Sequence, residues 1–224
     1  MATDSSNPLS GPTVIQPEDA EAYLRRMDID VDEVFSAIEA GEIAAGNITL
    51  HHPVTAAGLT RWIQVVGRLR EQLSRRGWQK DDPRGRPVSD HPKMPYGLST
   101  VGGTDATGIA DHPSGPLAAR KKGIATAEAV TNQLPLITIE VLRKPPTVAE
   151  GSAPPSGNWF LLYYRADNGQ VRLEISLPLG FDDGQFTGWR VRVILPPWER
   201  PDPAATNPRD IGGQDVDFEV GEVA

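Results

Sequence analysis

Between Val171 and Leu177 the chain alternates strictly: Val171, Leu173, Ile175 and Leu177 interleave with Arg172, Glu174 and Ser176. A period of two marks a strand with one face on a core, because successive side chains leave a pleated backbone on opposite sides. The same alternation returns from Trp189 to Leu195, with Val191, Val193 and Leu195 set against Arg190 and Arg192. An apolar run, NWFLLYYR, precedes both at Asn158–Arg165. Asp167-Asn168-Gly169 separates the first two segments, and Asn and Gly accept the positive φ of tight hairpin turns. FDDGQFTG separates the second and third. These spacings predict an antiparallel β-meander over 158–198, with a polar face carrying Arg172, Glu174, Arg190 and Arg192 toward solvent or a partner.

The N-terminal third follows a helical period instead. Pro17 suits a first helical position, and Glu18, Asp19 and Glu21 suit the positive end of a helix dipole, predicting a helix over 17–27. Val31, Val34, Phe35 and Ile38 predict a second over 30–40, with Gly41 as its stop and ITLHH as a short extended piece. The strongest helical pattern spans 55–77, where Leu59, Trp62, Ile63, Val66, Leu69 and Leu73 share a face. A short strand over 96–101, a short helix over 124–133 and a strand over 134–142 complete the prediction. The fold class is α+β: N-terminal helices packed on a C-terminal antiparallel β-meander, with a long Gly/Pro-rich loop. Residues 1–15 read as a disordered lead-in and 199–224 as a flexible acidic tail. Between them lies a single domain over 16–198, with a helical part at 16–77, a basic loop at 78–123 and a sheet part at 134–198.

Charge is unevenly spread. Residues 1–50 carry 2 basic and 10 acidic side chains, whereas residues 51–123 carry 12 and 6. Such segregation points to an anionic partner for the middle of the chain. Arg61, Arg68, Arg75, Arg76, Lys80, Arg84 and Arg86 are the candidate nucleic-acid or partner contacts, with Arg70 among them and Trp62, Trp78 and Tyr96 interleaved. The alternative is a solvated helix face, neutralised within the molecule by the acidic head.

GLSTVGGTDATG at 97–108, followed by RKKG at 120–123, is the second constellation. A Gly-rich segment after a strand brings backbone amides close to a phosphate. A basic run before a helix opposes the helix dipole unless an anion sits there. Thr100, Thr104, Asp105, Thr107, Lys121 and Lys122 are therefore candidate phosphate or ligand contacts. The segment lacks the Gly-Lys-Ser/Thr ending of a Walker loop and the glycine spacing of a dinucleotide fingerprint. A turn held together by its own Thr side chains is the bland reading.

Other chemistry is poorly supported. The absence of cysteine removes disulfides, thiolate metal sites and Cys nucleophiles, and suits a reducing compartment. His51, His52, His91 and His112 lack a recognised ligand spacing. Asp28, Asp30 and Asp32 resemble a calcium loop, but Glu33 stands where such a loop requires glycine. Neither Glu140 nor Glu174 is followed by the lysine that nuclease chemistry of the Glu-x-Lys type would use. No catalytic residue, metal or cofactor is expected. No apolar run is long enough to span a membrane, and the polar N-terminus lacks a signal-peptide pattern, so the expected location is the cytoplasm.

Two stretches together carry a resemblance: LTRWIQVVGRLREQLSRRGWQKDDPRGRP with the Gly-Thr-Asp-x-Thr-Gly element and RKKGIATAEAVTNQ, and NWFLLYYRADNGQVRLEISLPLGFDDGQFTGWRVRVILP. Over about 59–196 they resemble an uncharacterised bacterial protein family associated with mobile elements and defence-type gene clusters. The resemblance implies an accessory role beside DNA-handling partners and supplies no catalytic residues. The leading expectation is a non-enzymatic interaction subunit of a bacterial mobile-element or anti-phage defence system. It would contact a protein partner from a neighbouring gene, or nucleic acid, through the basic middle. The rival is a phosphate-ligand or nucleotide-binding enzyme or sensor using the loop 97–108.

Overall fold

The computed structural model describes residues 11–131 and 153–200. At its centre is the antiparallel meander of β5 (Gly157–Arg165), β6 (Val171–Asp182) and β7 (Gln185–Trp198). Gly169 takes φ 85° in the first turn, where the Ala166 amide donates to the Gln170 carbonyl at 2.9 Å. The second turn has two residues, Asp183 and Gly184, with φ of 44° and 78°, the double left-handed conformation of the tightest hairpins.

The sheet does not stop at the meander, and it is mixed. Its seven strands run in the order β1-β7-β6-β5-β4-β3-β2. β4 (Tyr96–Gly102) lies parallel to β5, with Leu98 opposite Trp159 and Gly102 opposite Tyr163. β3 (Val88–Asp90) and β2 (Gln79–Asp81) extend that side antiparallel. β1 (Thr13–Ile15) lies parallel to β7, with Val14 opposite Arg192. The end of the expected disordered lead-in is thus an edge strand, and Thr13-Val14-Ile15 are β-branched residues that suit a pleated surface. The expected basic loop at 78–123 contributes three strands.

Three helices lie between β1 and β2 in sequence. α1 (Pro17–Arg25) opens on its proline, and α2 (Val31–Gly46) is capped by Asp30, whose carboxylate accepts the Asp32 amide at 2.9 Å. Gly41 does not end α2. A Cβ there would stand 2.6 Å from Val65 Cγ2 and 3.0 Å from the Arg61 carbonyl, so the glycine lets α3 (Ala56–Ser74) cross closely. That crossing also sets which face of α3 is buried. Val65, Leu69, Gln72 and Leu73 face inward, while the expected core residues Leu59 and Ile63 stay half exposed. The expected extended piece ITLHH, which begins beyond the end of α2, is instead a turn in which the His52 amide donates to the Thr49 carbonyl.

Both faces of the sheet are covered. Tyr23, Leu24, Val34 and Leu69 from the helices share one core with Trp159, Leu161, Leu173, Ile175 and Val193. On the other face Phe160, Leu162, Phe186 and Trp189 pack with Val101, Ala118 and Val130, the last from α4 (Ile124–Thr131). A strand buried on two faces needs no alternation, which explains the apolar run of β5. The face expected to meet solvent or a partner is roofed by residues 103–131, and Glu174 and Arg192 are fully buried beneath them. The strand expected at 134–142, the loop that follows it to residue 152 and the tail beyond 200 lie outside the described residues. Among the described residues, no helix is long and apolar enough to cross a membrane.

Candidate anion cleft at the ends of two parallel strands

β4 and β5 run in the same direction, so their carboxyl ends, Gly102-Gly103 and Tyr163–Arg165, open on the same side. Open sheets leave a ligand crevice at such ends when the chain on either side departs in different directions. Here β5 turns back into β6, while the chain after β4 leaves to form the roof. The first half of α3 walls the opening, and the returning segment 119–122 closes it. The result is a cavity of about 460 Å³ lined by Arg61, Trp62, Arg120, Lys122, Tyr163 and Arg165 among others.

The roof is pinned by a buried ion pair. Arg192 donates from Nε to Glu174 Oε1 at 3.0 Å and from Nη2 to Oε2 at 2.5 Å. Glu174 also accepts from the Gly108 amide at 2.9 Å and the Ser176 hydroxyl at 2.8 Å, so its lone pairs are satisfied. At the near end, the Ala119 amide donates to the Gly102 carbonyl at 2.8 Å. The β6–β7 turn grips the last part: the Lys122 amide donates to the Gly184 carbonyl at 2.9 Å, and Lys121 pairs with Asp183.

Glu42 organises two of the cations. Its side chain is 5% exposed, and it accepts Arg61 Nε at 2.5 Å on Oε1 and Arg165 Nε at 3.2 Å on Oε2. One buried carboxylate therefore holds two guanidinium groups at the cavity wall. Trp62 is fixed by its indole N–H, which donates to the Thr100 carbonyl at 3.1 Å. Burial pushes the Tyr163 phenol up to about 12, leaving it a hydrogen-bond donor at neutral pH. Lys122 is pushed below the usual lysine range by burial first and by the Arg120 charge second. Among the described residues, neither Arg120 nor Lys122 has a carboxylate within ion-pair distance.

The structure distributes the other candidate contacts widely. Arg68 and Arg75 share Glu71, with Arg68 also reaching the Ser36 hydroxyl. Arg76 is gripped by Glu33 at 3.0 Å, Asp28 at 3.3 Å and Asp30 at 3.4 Å, so Asp28 and Asp30 of the acidic triplet partner an arginine, and Asp30 also caps α2. Arg70 pairs with Asp82, and Arg84 with Glu128. Arg86 donates to the Ser99 hydroxyl, and Lys80 sits on the exposed edge strand β2.

Of the Gly/Thr segment, residues up to Gly102 belong to β4. The Thr104 hydroxyl accepts the Leu117 amide at 3.1 Å, tying together the two ends of the loop between them, and Asp105 is exposed. Thr107 is fully buried, and its hydroxyl lies 2.1 Å from where a Cβ on Gly103 would stand. Arg61 and Lys122 are the two candidate contacts that line the cavity itself. Glu42, Arg120, Tyr163 and Arg165 were not singled out from the sequence. The glycine pair closing a strand was the available signal, but the parallel pairing that sets it beside Tyr163 was not.

Among the described residues no cluster of three or more His, Asp or Glu side chains is arranged to hold a metal ion. His91 is packed edge-on against Trp78, and its Nδ1 accepts the amides of Lys93 and Met94. Comparison of the chain with protein-family models, curated proteins and solved structures gives no match.

Proposed function

We propose that the protein binds a small phosphate-type anion in the cleft at the carboxyl ends of β4 and β5. The observation that carries this reading is the pair Arg120 and Lys122, which face a concave, half-buried space with no carboxylate of their own. A half-buried cation beside a second cation is unfavourable unless something negative joins them. Arg61 and Arg165 add planar donors, and Trp62 and Tyr163 add an apolar wall with polar tips. Glu42 stands behind the lining and fixes the Arg61 and Arg165 guanidinium groups that face the cavity. Calorimetric titration and thermal melts with inorganic phosphate and phosphate esters test the reading, since a ligand of the folded state raises its stability. Arg120→Gln should reduce the shift. If no phosphate compound binds, the reading fails.

A second reading, an accessory subunit beside DNA-handling partners, is favoured by the open end of the α2–α3 hairpin. Leu50 and Val54 are fully exposed there, with Ile43, Leu59 and Ile63 half exposed around them. Co-expression with the products of neighbouring genes, comparing the native chain with Leu50→Asp/Val54→Asp, tests it. Co-purification that is absent, or indifferent to these changes, counts against it.

A further inference from the structure

A second cavity, of about 310 Å³, adjoins the first. Trp62 and Lys122 line both, so the indole and the lysine form the boundary between them. The second cavity has its own cations, Arg84 and Arg86, and its own hydroxyl-bearing wall, Ser99 and Thr100 on β4. Arg86 is largely enclosed. Its Nη1 donates to Ser99, its Nε is buried without a hydrogen-bond acceptor, and burial pulls its pKa below the usual arginine range, although it stays charged. No carboxylate among the described residues stands within ion-pair distance of it; Asp90 and Asp81 act on it only from farther away. Arg84 has one exposed partner, Glu128 at 3.2 Å, an arrangement readily exchanged for a stronger anion. α4 starts in this wall, where Ile124, Ala125 and Thr126 line the cavity, so the basic run 120–122 stands before the positive end of a helix.

We propose, resting on the anion reading above, that the two cavities are halves of one site for a small molecule bearing two separated phosphate groups. One group would lie by Arg120, the other by Arg86 and Arg84, and the spacer would cross the face of Trp62 with Lys122 reaching either phosphate. The chemistry favours a spacer that carries an aromatic ring, because the boundary is an indole held in place by its bond to Thr100. A single phosphate would leave one set of cations unsatisfied. A molecule with two would neutralise both, and each charge-assisted hydrogen bond gained favours it by roughly ten- to a hundredfold.

The test compares adenosine 5′-monophosphate with adenosine 3′,5′-bisphosphate by calorimetric titration of the full chain, with inorganic phosphate as reference. The bisphosphate should bind more tightly than the monophosphate. Arg86→Gln should collapse that advantage, and Arg120→Gln should weaken both compounds. Arg84→Gln, on an exposed side chain, gives the same comparison should Arg86→Gln disturb the fold, which a thermal melt reports. Equal affinities, or an advantage that survives both Arg84→Gln and Arg86→Gln, overturns the two-part site while leaving the single cleft standing. Binding of inorganic phosphate with neither nucleotide overturns it as well. If none of the three binds, the cleft reading and the two-part site fall together.

Discussion

Glu174 and Arg192 meet across β6 and β7 with both side chains wholly shut from solvent. A pair in that setting adds little net stability over an apolar one, yet removing one member leaves an uncompensated buried charge. Glu174→Ala strands Arg192 and frees the Gly108 amide and the Ser176 hydroxyl. Its expected cost is about 3–5 kcal/mol, read from urea or thermal unfolding. Replacing both members with apolar residues of similar volume should recover much of that loss. The double variant should still unroof residues 103–118, seen as faster amide exchange at Gly108. A cost within the range of an ordinary surface substitution would mean that the pair does not pin the roof.

The contact between Gly41 and Val65 makes the second prediction. Gly41→Ala places a methyl group 2.6 Å from Val65 Cγ2 and against the Arg61 carbonyl, so the α2–α3 crossing must open. Overpacking of this kind costs about 1–3 kcal/mol, although alanine is the better helix former. Val65→Ala removes the clashing methyls, so the double variant should be more stable than the sum of the two single losses. A double-mutant cycle reads the coupling. Strict additivity would show that the close approach is not what the glycine serves.

Periodic signals made parts of this architecture legible. The alternation at 171–177 and the Asp167-Asn168-Gly169 turn give the meander and its order. Pro17 and Asp30 give the starts of two helices. The parallel strands are a different case. Nothing near Tyr96–Val101 states that it lies beside Trp159 rather than at an edge, because parallel pairing is decided by a distant partner. The buried polar pair is misread for the same reason: Glu174 and Arg192 sit on the polar phase of an alternating strand, and only the roof over them reverses that phase's meaning. Gly41 is ambiguous in sequence, since a glycine after a helical pattern serves as a stop or as a close approach, and Val65 decides it. The cleft was half visible. Lys122 and Arg61 stood out as charges, whereas Glu42 and Arg165 gain meaning only once the helices bring them together.

Glu42→Gln tests how the cleft is organised. The amide keeps the size of the side chain but gives up the charge that holds Arg61 and Arg165. Two guanidinium groups then face the cavity less firmly held and less neutralised. Anion affinity should change while the meander stays folded, and the change should shrink with added salt as screening replaces the lost carboxylate. Arg165→Gln should act less on stability than Arg61→Gln, because Arg165 is half exposed and Arg61 largely enclosed. If Glu42→Gln leaves both affinity and its salt dependence untouched, Glu42 is a core ion-pair member with no part in binding.

The alkaline limb of stability follows from two buried phenols. Tyr23 and Tyr163 are each pushed from 10.0 to about 12, in both cases mainly by burial. A raised folded pKa means that the folded state keeps its proton where the unfolded chain has lost it. The stabilisation is therefore intact below pH 10 and is lost as pH climbs from 10 to about 12. A shift of this size corresponds to about 2–3 kcal/mol per phenol at the top of the window. Tyr163→Phe removes its share, so the variant should lose less stability than the native chain across that interval while differing little at neutral pH. Near-ultraviolet phenolate absorbance, read as the difference between the native chain and Tyr163→Phe so that the other tyrosines cancel, follows this ionisation, and it should rise together with unfolding rather than ahead of it. A Tyr163 phenolate signal near pH 10 in a chain that remains folded would mean that burial does not hold that phenol up.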